Sequence, residues 1–178
     1  MWLRRTFYFF FFVCILLVVY YRFWFLGQPD RNVPNNEHLF VSPANGLIVA
    51  VKPWSSTSLV ETKGNDGAIK VWTKDVDTAG YIVSIQMDVT NVHYQRAPAT
   101  ATLLAEVHTA GDYHNAVVMS NDYGIRFENE HNEMLFATGS GKKFKIIQIA
   151  GFVARRIEDY VETKQEVKQG DIIGLIKL

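Results

Sequence analysis

YIVSIQMDV, Tyr81 to Val89, alternates without interruption: Tyr81, Val83, Ile85, Met87 and Val89 share one side, and Ser84, Gln86 and Asp88 share the other. A period of two is that of a strand with one face toward a core and one toward water. The reading extends upstream to NGLIVAV (Asn45–Val51), where Leu47, Val49 and Val51 fall on one face. Downstream, ATLLAEVHT (101–109), FKIIQIAGFVA (144–154) and DIIGLIKL (171–178) are further β-rich runs. GNDG (64–67), NDYG (121–124) and GSGKK (139–143) supply the Gly and Asn residues that turns need. No helical period longer than two turns follows residue 27. The expected fold is therefore mostly β: a single antiparallel sandwich or barrel-like domain over 36–178.

Before that domain the pattern is of another kind. Arg4 and Arg5 precede an unbroken apolar and aromatic run from Phe7 to Tyr21, followed by Arg22 and then Phe23 to Leu26. Fifteen helical residues reach roughly 22 Å, short of a ~30 Å hydrocarbon core, but Phe7 to Leu26 suffices if Arg22 snorkels to the interface. A membrane anchor over 1–27, one transmembrane helix, is the expectation. A cleaved signal peptide would need a small-x-small site, and VVYYRFWFLG offers none. Basic residues flank the run on both sides, so charge bias does not set its orientation. Polar residues 28–35, with Pro29 and Pro34, form an extended linker.

Composition narrows the function. Of the 178 residues, 18 are Lys or Arg and 18 are Asp or Glu, with no long run of either sign. Nothing electrostatic favours nucleic acid. The single cysteine, Cys14, lies in the apolar run, which excludes an intrachain disulfide and a cysteine metal cluster.

The richest stretch chemically is MDVTNVHYQRAPA, Met87 to Ala99, where a strand runs into His93, Tyr94, Arg96 and a proline. A histidine just past a strand, beside a proline-pinned turn, is placed to move protons near neutral pH. The competing reading is an ordinary surface or hydrogen-bonding histidine. His38, His108 and His114 show no HxH or HExxH spacing, so no metal site is expected. FVSPANGLIVAV adds a tight turn, with Asn45 between Pro43 and Gly46, and its plain reading is a turn into a strand. Ser42, Ser120 and Ser140 lack a nucleophile elbow. If the protein is an enzyme, its reactive group has to be something other than an ordinary side-chain nucleophile.

Taken in order, QPDRNVP, FVSPANGLIVAV, QMDVTNVHYQRAPATATLLAEVHTAGDYHNA, ENEHNE, QIAGFVARRIEDYV and VKQGDIIGLIKL resemble the short, archaeal-type phosphatidylserine decarboxylases from Gln28 to Leu178. The family shows F-F-R-D-P-x-R-x-V-P, which Pro29, Arg31, Val33 and Pro34 match. To its S-P-x-D-V-H-x-N-R-A-P correspond Val92, His93, Arg96, Ala97 and Pro98. To its E-N-E-R-N-E correspond Glu128, Asn129, Glu130, Asn132 and Glu133, with His131 at the arginine. Gln148 to Gly151 and Ala154 to Ile157 match Q-I-A-G-x-x-A-R-R-I.

The resemblance implies a pyruvoyl-dependent carboxy-lyase made by autocatalytic cleavage of a zymogen. A serine after the family's last glycine becomes the pyruvoyl group at the new end of a small α subunit. That ketone forms a Schiff base with a serine phospholipid and draws electrons from the bond to the departing CO2, leaving an ethanolamine phospholipid. His93 falls on the family's catalytic histidine. Arg96 stands where longer bacterial members have a second histidine, so His93 is expected to serve both processing and turnover. The expected partners are a membrane phospholipid with a serine head group and the α subunit, with room for a homo-oligomer. The expected location is the cell membrane, single-pass or monotopic, with the β domain on the cytoplasmic face.

Two positions depart from the family. Its S-P-A-D-G aspartate, which supports processing, is Asn45, and an amide supplies no charge to stabilise imidazolium. Its Gly-Ser pair would directly follow Leu178, so the pyruvoyl-forming serine lies beyond this sequence. The chain is thus expected to be a truncated or β-subunit-like part. Two alternatives are a noncatalytic relative that binds lipid head groups, and a biotinyl- or lipoyl-like adaptor for which VKQGDIIGLI would be a hairpin. The adaptor lacks a lysine in the M-K-M turn that a carrier modifies.

Overall fold

A computed structural model describes residues 2–34, 36, 38–56, 72–115 and 127–178. The expected turns at 64–67 and 121–124, and Ser120, lie outside these residues.

The chain opens with helix α1 (Trp2–Tyr20), continued by a π-helical turn over Tyr21–Phe25 that closes with Leu26 N–H donating to the Tyr21 carbonyl at 3.0 Å. No Gly or Pro interrupts the stretch from Trp2 to Leu26, so nothing breaks the helical ladder. Trp2–Phe25 is 24 residues long with a mean hydropathy of 1.9, long and apolar enough to cross a bilayer. Phe25 is its only buried residue.

Nine strands follow among the described residues: β1 (Leu47–Ser55), β2 (Ala79–Gln86), β3 (Tyr94–Arg96), β4 (Ala101–Thr109), β5 (His131–Thr138), β6 (Lys143–Ile149), β7 (Arg156–Asp159), β8 (Glu166–Val167) and β9 (Ile172–Lys177). All their pairings are antiparallel. They form a β1-β2 ribbon, a three-stranded sheet ordered β3-β9-β7 and a four-stranded sheet ordered β6-β5-β4-β8. The mostly-β, antiparallel class with one apolar N-terminal helix is what the chain adopts.

The core lies between the two larger sheets. Leu103, Met134, Phe136, Ile146 and Val167 of the four-stranded sheet meet Ile173 of β9, with Ala97 and Val161 from adjoining segments. Register explains the meeting: Leu103 stands opposite Phe136, and Met134 opposite Ile146. A bulge between Leu103 and Ala105 bends β4. The β5–β6 hairpin closes through GSGKK as expected, with Gly141 at φ 82° and its N–H donating to Thr138 O at 2.9 Å.

Three features differ from the sequence reading. In β1 a bulge between Ile48 and Ala50 breaks the expected Leu47–Val49–Val51 face, so Ile48 and Val51 share a side instead. β5, central in its sheet, is absent from the runs singled out above, because buried His131 and Asn132 mask its apolar pattern. In β2 the alternation is right but its polarity is reversed: Tyr81 is 71% exposed, while Ser84 is only 8% exposed. Trp72 draws Ile82 and Trp54 inward on the other face, leaving Tyr81 and Val83 outside.

Gly174 ties two sheets together. A Cβ there would lie 2.7 Å from the Glu158 carbonyl oxygen and 2.5 Å from Gln148 Nε2. We expect Gly174→Ala to destabilise the fold by about 1–3 kcal/mol, read as a lower urea midpoint.

Candidate functional site

The segment leaving β2 is shaped by its own polar side chains. The Asp88 carboxylate accepts from Thr90 N–H at 2.7 Å and from the Thr90 hydroxyl, and these bonds hold its pKa below the usual range. Asn91 returns the favour: its side-chain oxygen accepts from Asp88 N–H at 2.9 Å, and its backbone N–H donates to Asp88 O at 3.0 Å. This closed turn aims the Asn91 carbonyl at His93 Nδ1, 2.9 Å away. A carbonyl only accepts, so Nδ1 carries the proton and Nε2 is the basic atom.

The ring is 4% exposed and stacked on Phe25, with centroids 3.9 Å apart and planes inclined by 19°. Burial lowers the His93 pKa, opposed by the Asn91 bond and by Asp88. The imidazole is therefore neutral at neutral pH.

His93 is fixed through its backbone as well. Its carbonyl accepts from Ile176 N–H in β9 at 3.2 Å and from Gln95 Nε2 at 2.7 Å. Gln95 Oε1 accepts from Gln148 Nε2 at 2.8 Å, and Gln148 Oε1 from Asn132 Nδ2 at 3.2 Å. Asn132 Nδ2 also donates to Glu106 Oε1. Burial, and then the Asp159 carboxyl, raise the Glu106 pKa against the Asn132 bond. A continuous polar chain thus joins His93 to a carboxyl pair across both larger sheets. Gln95, Gln148 and Asn132 are buried, so their amides have exchanged water for one another.

A cleft of about 720 Å³ opens beside His93. Consecutive residues of β2 and of β6 line it, with Gln95 and Ile176 nearby. Both strands are outermost in their sheets, so the cleft meets them edge-on. The wall is mainly apolar; Lys142, Lys143 and Lys145 bring positive charge to it, and Asp77 and Asp88 negative charge.

Asn45 lies elsewhere. Its side-chain oxygen accepts from Arg31 Nη2 at 3.1 Å, and it lines a smaller cleft of about 220 Å³ with Tyr94, Arg96 and Gly170. The walls of the larger cleft include His93 and not Asn45; those of the smaller include Asn45 and not His93. Arg96 bridges the two regions, donating from its backbone N–H to Pro43 O at 2.8 Å and from Nη1 to Gly170 O at 2.8 Å. Among the other histidines, His108 faces Glu130 at 3.5 Å and His114 faces Asp112 at 3.6 Å, both half-exposed. His131 is buried, with Nδ1 2.7 Å from Asn129 O.

Sequence reasoning missed the parts that hold His93. In the sequence Phe25 is only the tail of the apolar run. Gln95 and Gln148 carried a detectable signal, since polar residues in apolar strands point to buried pairing.

A family model described as phosphatidylserine decarboxylase matches residues 21–178. Curated relatives named phosphatidylserine decarboxylase proenzyme include one from Desulfotalea psychrophila, 30% identical over 154 residues, covering 86% of this chain and 63% of the relative. Another, from Neisseria gonorrhoeae, is 33% identical over 153 residues, covering 86% of this chain and 51% of the relative. A third, from Rickettsia prowazekii, is 33% identical over 154 residues, covering 86% and 59%. The chain spans about half to three-fifths of the length of these relatives. The match takes in the Asp88–His93 turn, the glutamine chain and β9 together, and the chain belongs to the phosphatidylserine decarboxylase family.

Proposed function

We propose that this chain is the larger, membrane-anchored part of a decarboxylase that converts a serine phospholipid to the ethanolamine phospholipid, with His93 as its proton-moving residue. Residues 1–27 are the anchor, 28–35 the linker and 36–178 the catalytic β domain, facing the cytoplasm from the cell membrane. The observation that carries the reading is His93 itself: a buried, neutral imidazole in the wall of a mainly apolar cleft, with Nδ1 bonded and Nε2 left as the basic atom, in a chain of this family. Lys142 and Lys143 suit the phosphate and carboxylate of such a head group, and the apolar wall suits its glycerol backbone.

The relatives' name, proenzyme, agrees with a chain completed by self-cleavage into a larger and a smaller subunit. The residues present fit a pyruvoyl group in one respect. His93 bonds to β9, the strand that ends at Lys177, so a reactive terminus formed shortly after Leu178 would lie near its ring. When bound, such a group supplies the electron sink for loss of CO2. The chain's own residues do the rest: Asn91 fixes the tautomer, Phe25 keeps water from one ring face, and Nε2 takes or returns the proton.

One observation favours a noncatalytic, head-group-binding relative instead. Asn45 stands at the family's processing aspartate and is engaged by Arg31, where an amide contributes no charge. The two readings diverge in the full-length gene product. Mass spectrometry is expected to find two chains, the smaller with a pyruvoyl N-terminus; a single intact chain would favour the binding reading. Asn45→Asp is expected to speed processing by at least about tenfold if the missing carboxylate limits it.

His93→Ala is expected to lower decarboxylation of phosphatidylserine by at least about 10²-fold, and unchanged turnover would remove the assignment. Burial also gives stability a pH dependence. The folded-state pKa of His93 lies below the ordinary 6.5, so the unfolded chain binds more protons between those two values. Stability from the neutral ring is full above 6.5 and is lost as pH falls toward the depressed value. Urea midpoints measured from pH 7.5 down to 5 should therefore fall less steeply in His93→Gln than in the parent.

A further inference from the structure

The β1-β2 ribbon presents an apolar face that no other described element covers. Directly opposed residues of antiparallel strands point to the same side. The outward pairs are Ile48 with Ile85, Val51 with Val83 and Pro53 with Tyr81. Val51 is 57% exposed and Val83 50%, and Ile48 and Tyr81 are more so. The bulge between Ile48 and Ala50 keeps the register in phase: it lets Ile48 and Val51, three apart, face the same way. The inward pairs are Ala50 with Ser84, Lys52 with Ile82 and Trp54 with Gly80, and Trp72 packs against Trp54 and Ile82. Neither strand contains an Asp or Glu, and the one charge, Lys52, is exposed on the opposite side of the ribbon.

The face adjoins α1. Tyr20 Oη donates to the Val89 carbonyl, and Trp24 Nε1 donates to the Thr90 carbonyl at 2.6 Å, so the end of the apolar helix is pinned to the loop that leaves β2. Val89 is itself exposed. Tyr20, Trp24 and Tyr81 are the residue types that settle at a membrane–water boundary. A contiguous apolar sheet face, free of acidic groups and joined to such a helix, matches a lipid surface in chemistry and position.

We propose that the β1-β2 ribbon lies against the bilayer as a second membrane contact, with Ile48, Val51, Pro53, Tyr81 and Val83 in the boundary between head groups and acyl chains. The inference rests on the reading of α1 as the anchor. Tyr81, Val83 and Val89 also line the cleft beside His93. A ribbon resting on the bilayer therefore opens that cleft at the level of the head groups, and a lipid enters without leaving the membrane.

The test uses the full chain in vesicles of phosphatidylcholine with a minority of phosphatidylglycerol, with bimane on one cysteine at a time and nitroxide-labelled lipid as quencher. Native Cys14 reports on α1. Val51→Cys and, as a second position, Tyr81→Cys report on the ribbon, and Glu166→Cys, at the exposed residue of β8, is the control; all three carry Cys14→Ser. The expected result is strong quenching at 14, 51 and 81, several-fold above that at 166. Quenching at 14 with none at 51 and 81 overturns the proposal and leaves the anchor intact. No quenching at any position overturns both. Near-complete disulfide formation between Val51→Cys chains on oxidation in the same vesicles, which would place a second copy on the face, also overturns it.

Discussion

The backbone carbonyl of His93 is the point on which the molecule turns. It accepts from Ile176 of β9 and from the Gln95 amide, so one oxygen joins the three-stranded sheet to the chain of glutamines and Asn132 crossing to the other sheet. Both lone pairs of a buried carbonyl are then used, and neither sheet can slide without leaving a polar group unpaired in the interior. The same oxygen fixes the origin of the imidazole, while the Asp88–Asn91 turn fixes its orientation. Fold stability and site geometry thus share one set of bonds.

That sharing explains why the interior carries so much polarity. A purely apolar filling between β3, β5 and β6 would have packed as well, and ordinary cores prefer it. Buried amides cost free energy where a group is left unpaired, as Asn132 Oδ1 is among the described residues, and in return they favour one register. Gly174 belongs to the same arrangement, because its missing side chain makes room for the Gln148 amide.

Much of this was legible from residues. Alternation in 81–89 and 47–51 located β1 and β2, and the apolar run from Phe7 located α1, because local periodicity follows directly from backbone geometry. The side each face would take was not legible, since Trp72, distant in sequence from Trp54, decides it. β5 escaped because His131 and Asn132 are buried by tertiary contacts that no local window contains. At the site, the position of His93 past a strand marked it as well placed, but its tautomer depends on Asn91 and its dry environment on Phe25, 68 residues earlier. Asn45 and His93 stood out together in the sequence, yet they line different clefts.

The stack of Phe25 on His93 has a stereochemical consequence. One face of the imidazole is sealed by an aromatic ring and one edge is tied to the Asn91 carbonyl, so the direction in which Nε2 points is fixed. If His93 moves the proton as proposed, that proton reaches a planar carbon from one side only. Were the carbon to bear hydrogen already, a deuteron taken from the solvent would occupy one of two mirror-related positions, and the product would be chiral by isotope alone. The residue that closes the apolar helix would then set the handedness of the product.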